Sequence, residues 1–315
     1  MAELGRVVVL AGGLSHERDV SLRSGGRVAE ELRALGLRVE VHDADAAFVH
    51  AAAADPPEVV LPLLHGVQGE DGSLRTVLEM LRLPYVGTRP RASRTAFDKP
   101  IANGVVEAAG LHVPDSVVLP HATFRDLGAQ ALLSGVLEAL GLPLAVQPAR
   151  GGSALGASIV RTADELPAAM VACFAYGEDA LLQSYVAGTE VAVSVIETAD
   201  GPVALPAVEI VPDGPFYDYQ ARYTAGATEF FVPARLDESH LGRVADAALT
   251  AHRALGLRDL SRSDMILGDD GQVTWLEANV APGMTETSLF PLAVAGADLS
   301  LGEVLRELLL RARDR

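Results

Sequence analysis

The chain has 315 residues, is 49% hydrophobic and carries a formal net charge of -17. That length allows two or three domains with substantial cores, and that charge repels nucleic acid and anionic membrane surfaces. No apolar run reaches membrane-spanning length and the start lacks a signal-peptide pattern, so we expect a soluble, cytoplasmic protein. The single cysteine, Cys173, permits no internal disulfide and reads as a core residue.

In chain order, Arg6–Ala11 reads as a buried parallel strand broken by Gly12-Gly13. A helix over about 21–35 and strands over about 38–42 and 58–64 complete βαβ units, a doubly wound sheet across residues 1–94. The polar residues 12–21 follow the first strand, where such sheets bind ligands; an ordinary loop and helix cap would look the same. A helix over about 98–109 opens a central segment, residues 95–187, with a glycine-rich stretch at 147–156 and a strand over about 180–185. Within that stretch, Arg150-Gly-Gly-Ser-Ala-Leu-Gly156 allows close backbone approach to an anion, yet it is no Walker loop and a plain turn has the same signature. Residues 188–315 are rich in strands and hairpins and close with an amphipathic helix over about 300–313. Three of the six tyrosines fall within 217–223, a lid or a packing patch against a neighbouring lobe. Together these elements make three small α/β lobes, with any site at their junction.

The strongest physical signal is a hairpin over 261–279. Asp270-Gly271 is the preferred dipeptide of a two-residue turn, which sets Asp264 opposite Glu277 and Arg262 opposite Asn279 on one face. A longer loop would shift that register. Opposed carboxylates repel unless a cation lies between them, and an oxygen set of Asp, Glu and Asn suits a hard ion such as Mg²⁺. A solvated hairpin face is the plainer alternative. Lysine occurs once, as Lys99, against 24 arginines. Such a bias marks Lys99 as a place for a compact point charge, for instance on a nucleotide phosphate, unless it is a residual surface lysine.

These motifs, in this order, resemble one family, the D-alanine–D-alanine ligases of the ATP-grasp superfamily. The resemblance runs nearly end to end. Its pieces are the segment 12–22, His65-Gly-Val-Gln-Gly-Glu-Asp-Gly72, Asp98-Lys99, Arg150–Gly156, residues 216–223, Arg262-Ser-Asp264 and residues 276–285. It implies an α/β ATP-grasp fold whose active site lies where three lobes meet. The implied reaction uses ATP to phosphorylate the carboxylate of one D-alanine; the amine of a second attacks the acyl phosphate, giving D-alanyl-D-alanine for peptidoglycan precursors. Two Mg²⁺ ions, with Mn²⁺ as a substitute, and a homodimer are implied as well.

The resemblance also assigns residues. Glu17 would hold the first substrate's ammonium, in a hydrogen-bonded triad with Ser153 and Tyr223. Arg262 and the N–H of Gly283 would stabilise the tetrahedral oxyanion. Asp264, Glu277 and Asn279 would carry the metal ions, while His65 and Ser288 would seat the second substrate beside Leu289. Lys99 would contact phosphate. The adenine would lie against a hinge of Gln183, Tyr185 and Val186, with Glu190 on the ribose and Arg222 in the lid.

Several positions depart from the family pattern. Gln147 stands where a second phosphate-binding lysine is expected, Gln183 where glutamate is usual, and Arg222 in place of a lysine. Thr287 replaces a frequent histidine, and Val280-Ala281 replaces Thr-Ser. Two further readings therefore stay open: a related amino-acid ligase with another acceptor, and a degenerate homologue that binds without turnover.

Overall fold

The computed structural model describes residues 4–214, 216, 217, 221, 222, 224 and 226–315. Its first sheet is parallel, in the order β2-β1-β3, from β1 (Arg6–Ala11), β2 (Arg38–Asp43) and β3 (Val59–Pro62). Alternate residues of β1 feed two different cores. Val7 and Val9 pack with Val28 and Leu32 of α1 (Arg18–Ala34) and with Leu305 and Leu309 of the C-terminal α12 (Leu301–Arg313). Val8 and Leu10 pack on the other face with Phe48 of α2 (Ala46–Ala54) and Leu78 of α4 (Ser73–Met80), which follows the short α3 (Val67–Glu70). Burial on both faces is why β1 reads as an unbroken apolar run.

The second sheet is antiparallel, in the order β4-β7-β5-β6. Its strands are β4 (Ser116–Pro120), β5 (Leu144–Pro148), β6 (Ser158–Val160) and β7 (Asp179–Ser184). Helices α7 (His121–Leu127), α8 (Ala129–Leu140) and α9 (Leu166–Phe174) pack on it around Leu144, Val146 and Leu182, and the fully buried Cys173 lies in that core. Strand periodicity sends Gln147 and Gln183 to the opposite face.

The third sheet runs β11-β10-β8-β12-β13, with β9 also on β8. It comprises β8 (Thr189–Thr198), β9 (Gly201–Ala204), β10 (Val208–Pro212), β11 (Thr228–Phe231), β12 (Leu260–Leu267) and β13 (Val273–Asn279). One face is covered by α10 (Glu238–Ala254) together with α5 (Pro90–Phe97) and α6 (Lys99–Ala108); Ala96, Ala102 and Val106 pack there with Val191 and Trp275. The helix that opens the central segment of the sequence thus packs on the C-terminal sheet. The other face meets α11 (Leu289–Gly296), whose Phe290 belongs to the same core as Val7 and Leu305. First and third sheets are therefore fused through one apolar cluster.

The β12–β13 hairpin differs in detail from the two-residue turn expected at Asp270-Gly271. Leu267 pairs with Val273, and Gly268 N–H donates to Gln272 O at 2.9 Å, so the loop is longer. Asp270 Oδ1 accepts from Gln272 N–H at 2.9 Å and shapes that longer turn from within. A β-bulge then shifts the register between Asp264 and Met265, and Asp264 again faces Glu277 while Arg262 faces Asn279. The two departures offset each other.

Close approach of α1 to β1 depends on Gly25, where a methyl group would lie 2.5 Å from Ala11 Cβ. We expect Gly25→Ala to lower unfolding stability by about 1–3 kcal/mol through overpacking. Adding Ala11→Gly should restore it, since alanine is otherwise the better helix former; chemical denaturation of the single and double variants checks this.

Candidate active site

The loop after β1 brings Glu17 to the start of α1, where it is 5% exposed and accepts a hydrogen bond from Ser153 Oγ. Ser153 and Ala154 both take left-handed backbone conformations, φ 53° and 55°. Two consecutive non-glycine residues there mark a segment held by its surroundings. Glu17 has a second neighbour, Glu70 at the end of α3, which accepts from Gly66 N–H at 2.8 Å. Both carboxyl groups approach Gly152, where a Cβ would lie 3.4–3.5 Å from them. Burial pushes the Glu70 carboxyl up to about 8, and the nearby charge of Glu17 acts in the same direction. Burial also raises Glu17, against the hydrogen bond from Ser153 and the charge of Arg222. Burial and the Glu17 charge together thus favour the protonated form of Glu70.

His65 follows β3 and is 4% exposed, with Nδ1 3.0 Å from Ala281 O and Nε2 3.5 Å from Ser24 Oγ. Burial lowers its pKa to about 4, so the ring is neutral at physiological pH. Donation from Nδ1 to the carbonyl leaves the Nε2 lone pair free to accept.

On the hairpin, Arg262 Nε and Nη2 fork both oxygens of Asp264 at 2.6 and 2.8 Å. Burial works against the Asp264 carboxylate, but the Arg262 charge and hydrogen bonds outweigh it and hold the carboxyl below its ordinary range. Glu277 is met instead by Lys99, whose Nζ lies 3.4 Å from Glu277 Oε2 and donates to Gly151 O at 2.8 Å. Asp98 caps α6 and accepts from Arg150 Nε at 2.7 Å, while Lys99 N–H donates to Ala149 O at 3.0 Å. The Asp98-Lys99 pair is thereby fastened to the glycine loop. Asn279 Oδ1 accepts from Ala281 N–H at 2.8 Å.

Beyond the hairpin, a methyl group at Gly283 would lie 2.7 Å from Ser288 Oγ, so a side chain there would have to displace the Ser288 hydroxyl. Ser288 precedes α11 and bonds Thr285 N–H and Oγ1 at 3.0 and 2.8 Å; Leu289 is buried behind it. Arg27 of α1 donates to Met284 O and Thr285 O at 3.1 and 2.7 Å. Arg75 of α4, 1% exposed, donates to Gly69 O and, at 3.2 Å, to Val280 O.

These side chains line two connected spaces. A polar pocket of about 70 Å³ is walled by Glu17, His65, Glu70, Ser153, Arg262, Asn279, Gly283, Thr287, Ser288 and Leu289. A cleft of about 540 Å³ is walled by Gln147, Gln183, Tyr185, Val186, Glu190 and Asp264, among others. Lys99, Gly151, Gly152, Tyr217, Arg222 and Glu277 border both. In the cleft, Gln147 Nε2 donates to Gln183 Oε1 at 2.9 Å. Burial pushes the Glu190 carboxyl up to about 7. Arg222 stacks 4.3 Å over the Tyr217 ring, and Tyr217 meets Phe230 edge-on at 6.2 Å.

The fold thus gathers every site residue expected from the sequence into one region, save Tyr223, which lies outside the described residues. Sequence reasoning missed Glu70, Ser24, Arg27 and Arg75. Glu70 lies inside the segment His65–Gly72, and only its closeness to Glu17 beside Gly152 in the fold sets it apart. Among the described residues no group of three His, Cys, Asp or Glu side chains forms a metal cluster. The hairpin offers two carboxylates and an amide oxygen, a donor set that suits a hard divalent ion. No helix of the described residues is long and apolar enough to cross a membrane.

Three α/β lobes meeting at a polar junction, two of them with antiparallel sheets facing one cleft, define the ATP-grasp class. Residues 105–310 match the family model described as D-ala D-ala ligase C-terminus. The D-alanine–D-alanine ligase of Anaeromyxobacter dehalogenans is 42% identical over 304 residues, 96% of each chain. Among solved structures, the ATP complex of D-alanine–D-alanine ligase from Bacillus anthracis matches with a TM-score of 0.82 at 28% identity, covering 99% of both chains. The VanG D-Ala:D-Ser ligase from Enterococcus faecalis matches with a TM-score of 0.83 at 26% identity, covering 98% of this chain and 100% of that one. The chain belongs to the D-alanine–D-alanine ligase family.

The raised pKa of Glu70 has a definite sign for stability. The folded protein binds this proton more tightly than the unfolded chain, so the contribution is present below about pH 4.5 and lost as pH rises through about 8. We expect Glu70→Gln to flatten the fall in stability across that window relative to wild type. Denaturation midpoints at pH 5, 6.5 and 8 measure it.

Proposed function

We propose that this protein joins two D-alanines, with ATP as the source of activation, to give D-alanyl-D-alanine. One observation carries the reading. A pocket sized for a small zwitterion, with Glu17 and Ser153 on one wall and Arg262 on another, opens into a nucleotide-sized cleft past Lys99 and Glu277. An amino acid held there by its ammonium would turn its carboxylate toward the phosphates.

In this reading Glu17 and Ser153 hold the ammonium of the first D-alanine, with Tyr223 assigned to the same triad by family resemblance. Lys99 supplies positive charge where the phosphoryl group passes to the substrate carboxylate. His65 is neutral and so does not repel the amine of the second D-alanine, which Ser288 and Leu289 help to seat. Attack on the acyl phosphate builds negative charge on the carbonyl oxygen, and Arg262 with the Gly283 N–H would receive it. Asp264, Glu277 and Asn279 would hold two Mg²⁺ ions, which when bound offset phosphate charge; Mn²⁺ would suit the same oxygens. Gln183, Tyr185 and Val186 would meet the base, Glu190 the ribose, and Arg222 would cover the phosphates.

Three further points belong to the same proposal: a role in peptidoglycan-precursor synthesis in the cytoplasm, a homodimer, and a division into lobes at 1–94, 95–187 and 188–315. Sedimentation and limited proteolysis test the last two.

With ATP, Mg²⁺ and D-alanine, we expect ADP release that depends on D-alanine and a dipeptide product. ADP release that fails to rise on adding D-alanine would sink the reading. Lys99→Ala should lower kcat/KM for ATP by about 10- to 100-fold, the value of one hydrogen bond to a charged group.

A second reading changes only the acceptor. Thr287 lines the small pocket where histidine is frequent, and a D-Ala:D-Ser ligase shares the fold. Mass analysis of products formed from D-alanine plus a panel of second amino acids separates the two: a mixed dipeptide formed in preference to D-alanyl-D-alanine selects the second.

A further inference from the structure

Gln147 and Gln183 are bonded to each other in the cleft. They lie on neighbouring antiparallel strands, β5 and β7, in a register that pairs Ala145 with Gln183 and Gln147 with Leu181, so both side chains leave the same face. Gln147 Nε2 donates to Gln183 Oε1 at 2.9 Å. Gln183 is 3% exposed, and its own Nε2 has no hydrogen-bond partner among the described residues. A buried amide N–H left in that state costs free energy, so it is a donor waiting for an acceptor.

The chemistry of the pair differs from that of a carboxylate and an ammonium. A glutamate at position 183 could only accept and a lysine at 147 could only donate. Two amides can turn together. In the arrangement found, the unpartnered N–H belongs to Gln183, whose side chain lines the cleft. With both amides reversed, Gln183 donates to Gln147 and offers its oxygen instead. The mutual hydrogen bond survives either way, and neither arrangement leaves a buried charge.

We propose that Gln147 and Gln183 act as one reversible amide pair that reads the 6-position of a purine and accepts both 6-amino and 6-oxo nucleotides. The N–H arrangement pairs with a 6-oxo group, and the oxygen arrangement pairs with a 6-amino group. This inference rests on the cleft holding a nucleotide. It makes the two positions specificity-determining residues, and it accounts for their joint departure from a charged pair, because changing one alone would strand a charge beside an amide.

The test is calorimetric titration of ADP and of inosine diphosphate, each with Mg²⁺, into wild type and the charge-balanced double variant Gln147→Lys/Gln183→Glu. Inosine diphosphate carries a 6-oxo group, with N1 turned from acceptor to donor, and does not add the 2-amino group of guanine. We expect wild type to bind the two within about threefold of each other. In the double variant ADP should hold while inosine diphosphate weakens by about tenfold or more, since a carboxylate cannot donate to a 6-oxo group. Wild-type preference for ADP beyond about 30-fold overturns the inference and leaves the nucleotide reading intact, as does an ADP-to-inosine ratio that the double variant does not change. Failure of folded wild type to bind either nucleotide overturns the nucleotide reading and the inference with it. If the double variant does not fold, Gln183→Met gives the test from the other side: both nucleotides should weaken alike by about tenfold, and unchanged affinities overturn the proposal.

Discussion

The ammonium of Lys99 sits between the Gly151 carbonyl and the Glu277 carboxylate, and that contact ties three separate parts of the chain. Lys99 opens the helix that packs on the C-terminal sheet, Gly151 belongs to the central glycine loop, and Glu277 lies on the final hairpin. On the same hairpin Arg262 neutralises Asp264. A buried carboxylate, Asp264, facing the half-buried Glu277 across a hairpin is tolerable because two cations are fixed beside them. An arginine could not easily replace Lys99, because a planar fork would need two acceptors in its plane where a carbonyl and a carboxylate approach one point.

From that charge balance the chemistry divides by place. At the small pocket the arrangement favours a bound cation: Glu17 and Glu70 crowd together, Ser153 donates to Glu17, and the neutral His65 adds no competing charge. At the cleft the arrangement favours anions near Lys99 and Arg222, and a neutral planar group near Gln147 and Gln183. A zwitterionic substrate and a nucleotide can therefore approach from opposite ends and meet at Lys99 and the glycine loop. The fused core of the first and third sheets holds these ends in register, and Arg27 and Arg75 secure the loop after β13 from the N-terminal side.

Much of this was legible in the residues themselves. The apolar run of β1, the glycine breaks and the period-two pattern of the hairpin gave the fold class, because burial on one or both faces writes itself into local sequence. The pairing of Asp264 with Glu277 was reached through a turn that the protein does not use; a longer loop and a compensating bulge restore it. A bulge has no reliable local signature, since any residue can occupy it. In the sequence, Gln147 and Gln183 are two separate departures from the family pattern. Their bond turns two losses into one neutral pair, and strand register rather than sequence distance brings them together.

The sequence alone determined which chemistries were possible: one lysine, an oxygen-rich hairpin, a glycine loop and ordered motifs whose family implies a reaction. These are properties of residue type and short spacing, set by covalent geometry and periodicity. Only the tertiary structure decided which charges neutralise which, that Glu70 shares the environment of Glu17, and that Ser24, Arg27 and Arg75 brace the loop after β13. Those contacts join residues up to 260 positions apart. Their energies arise from burial and from a low local dielectric, which exist only once the lobes have closed around them.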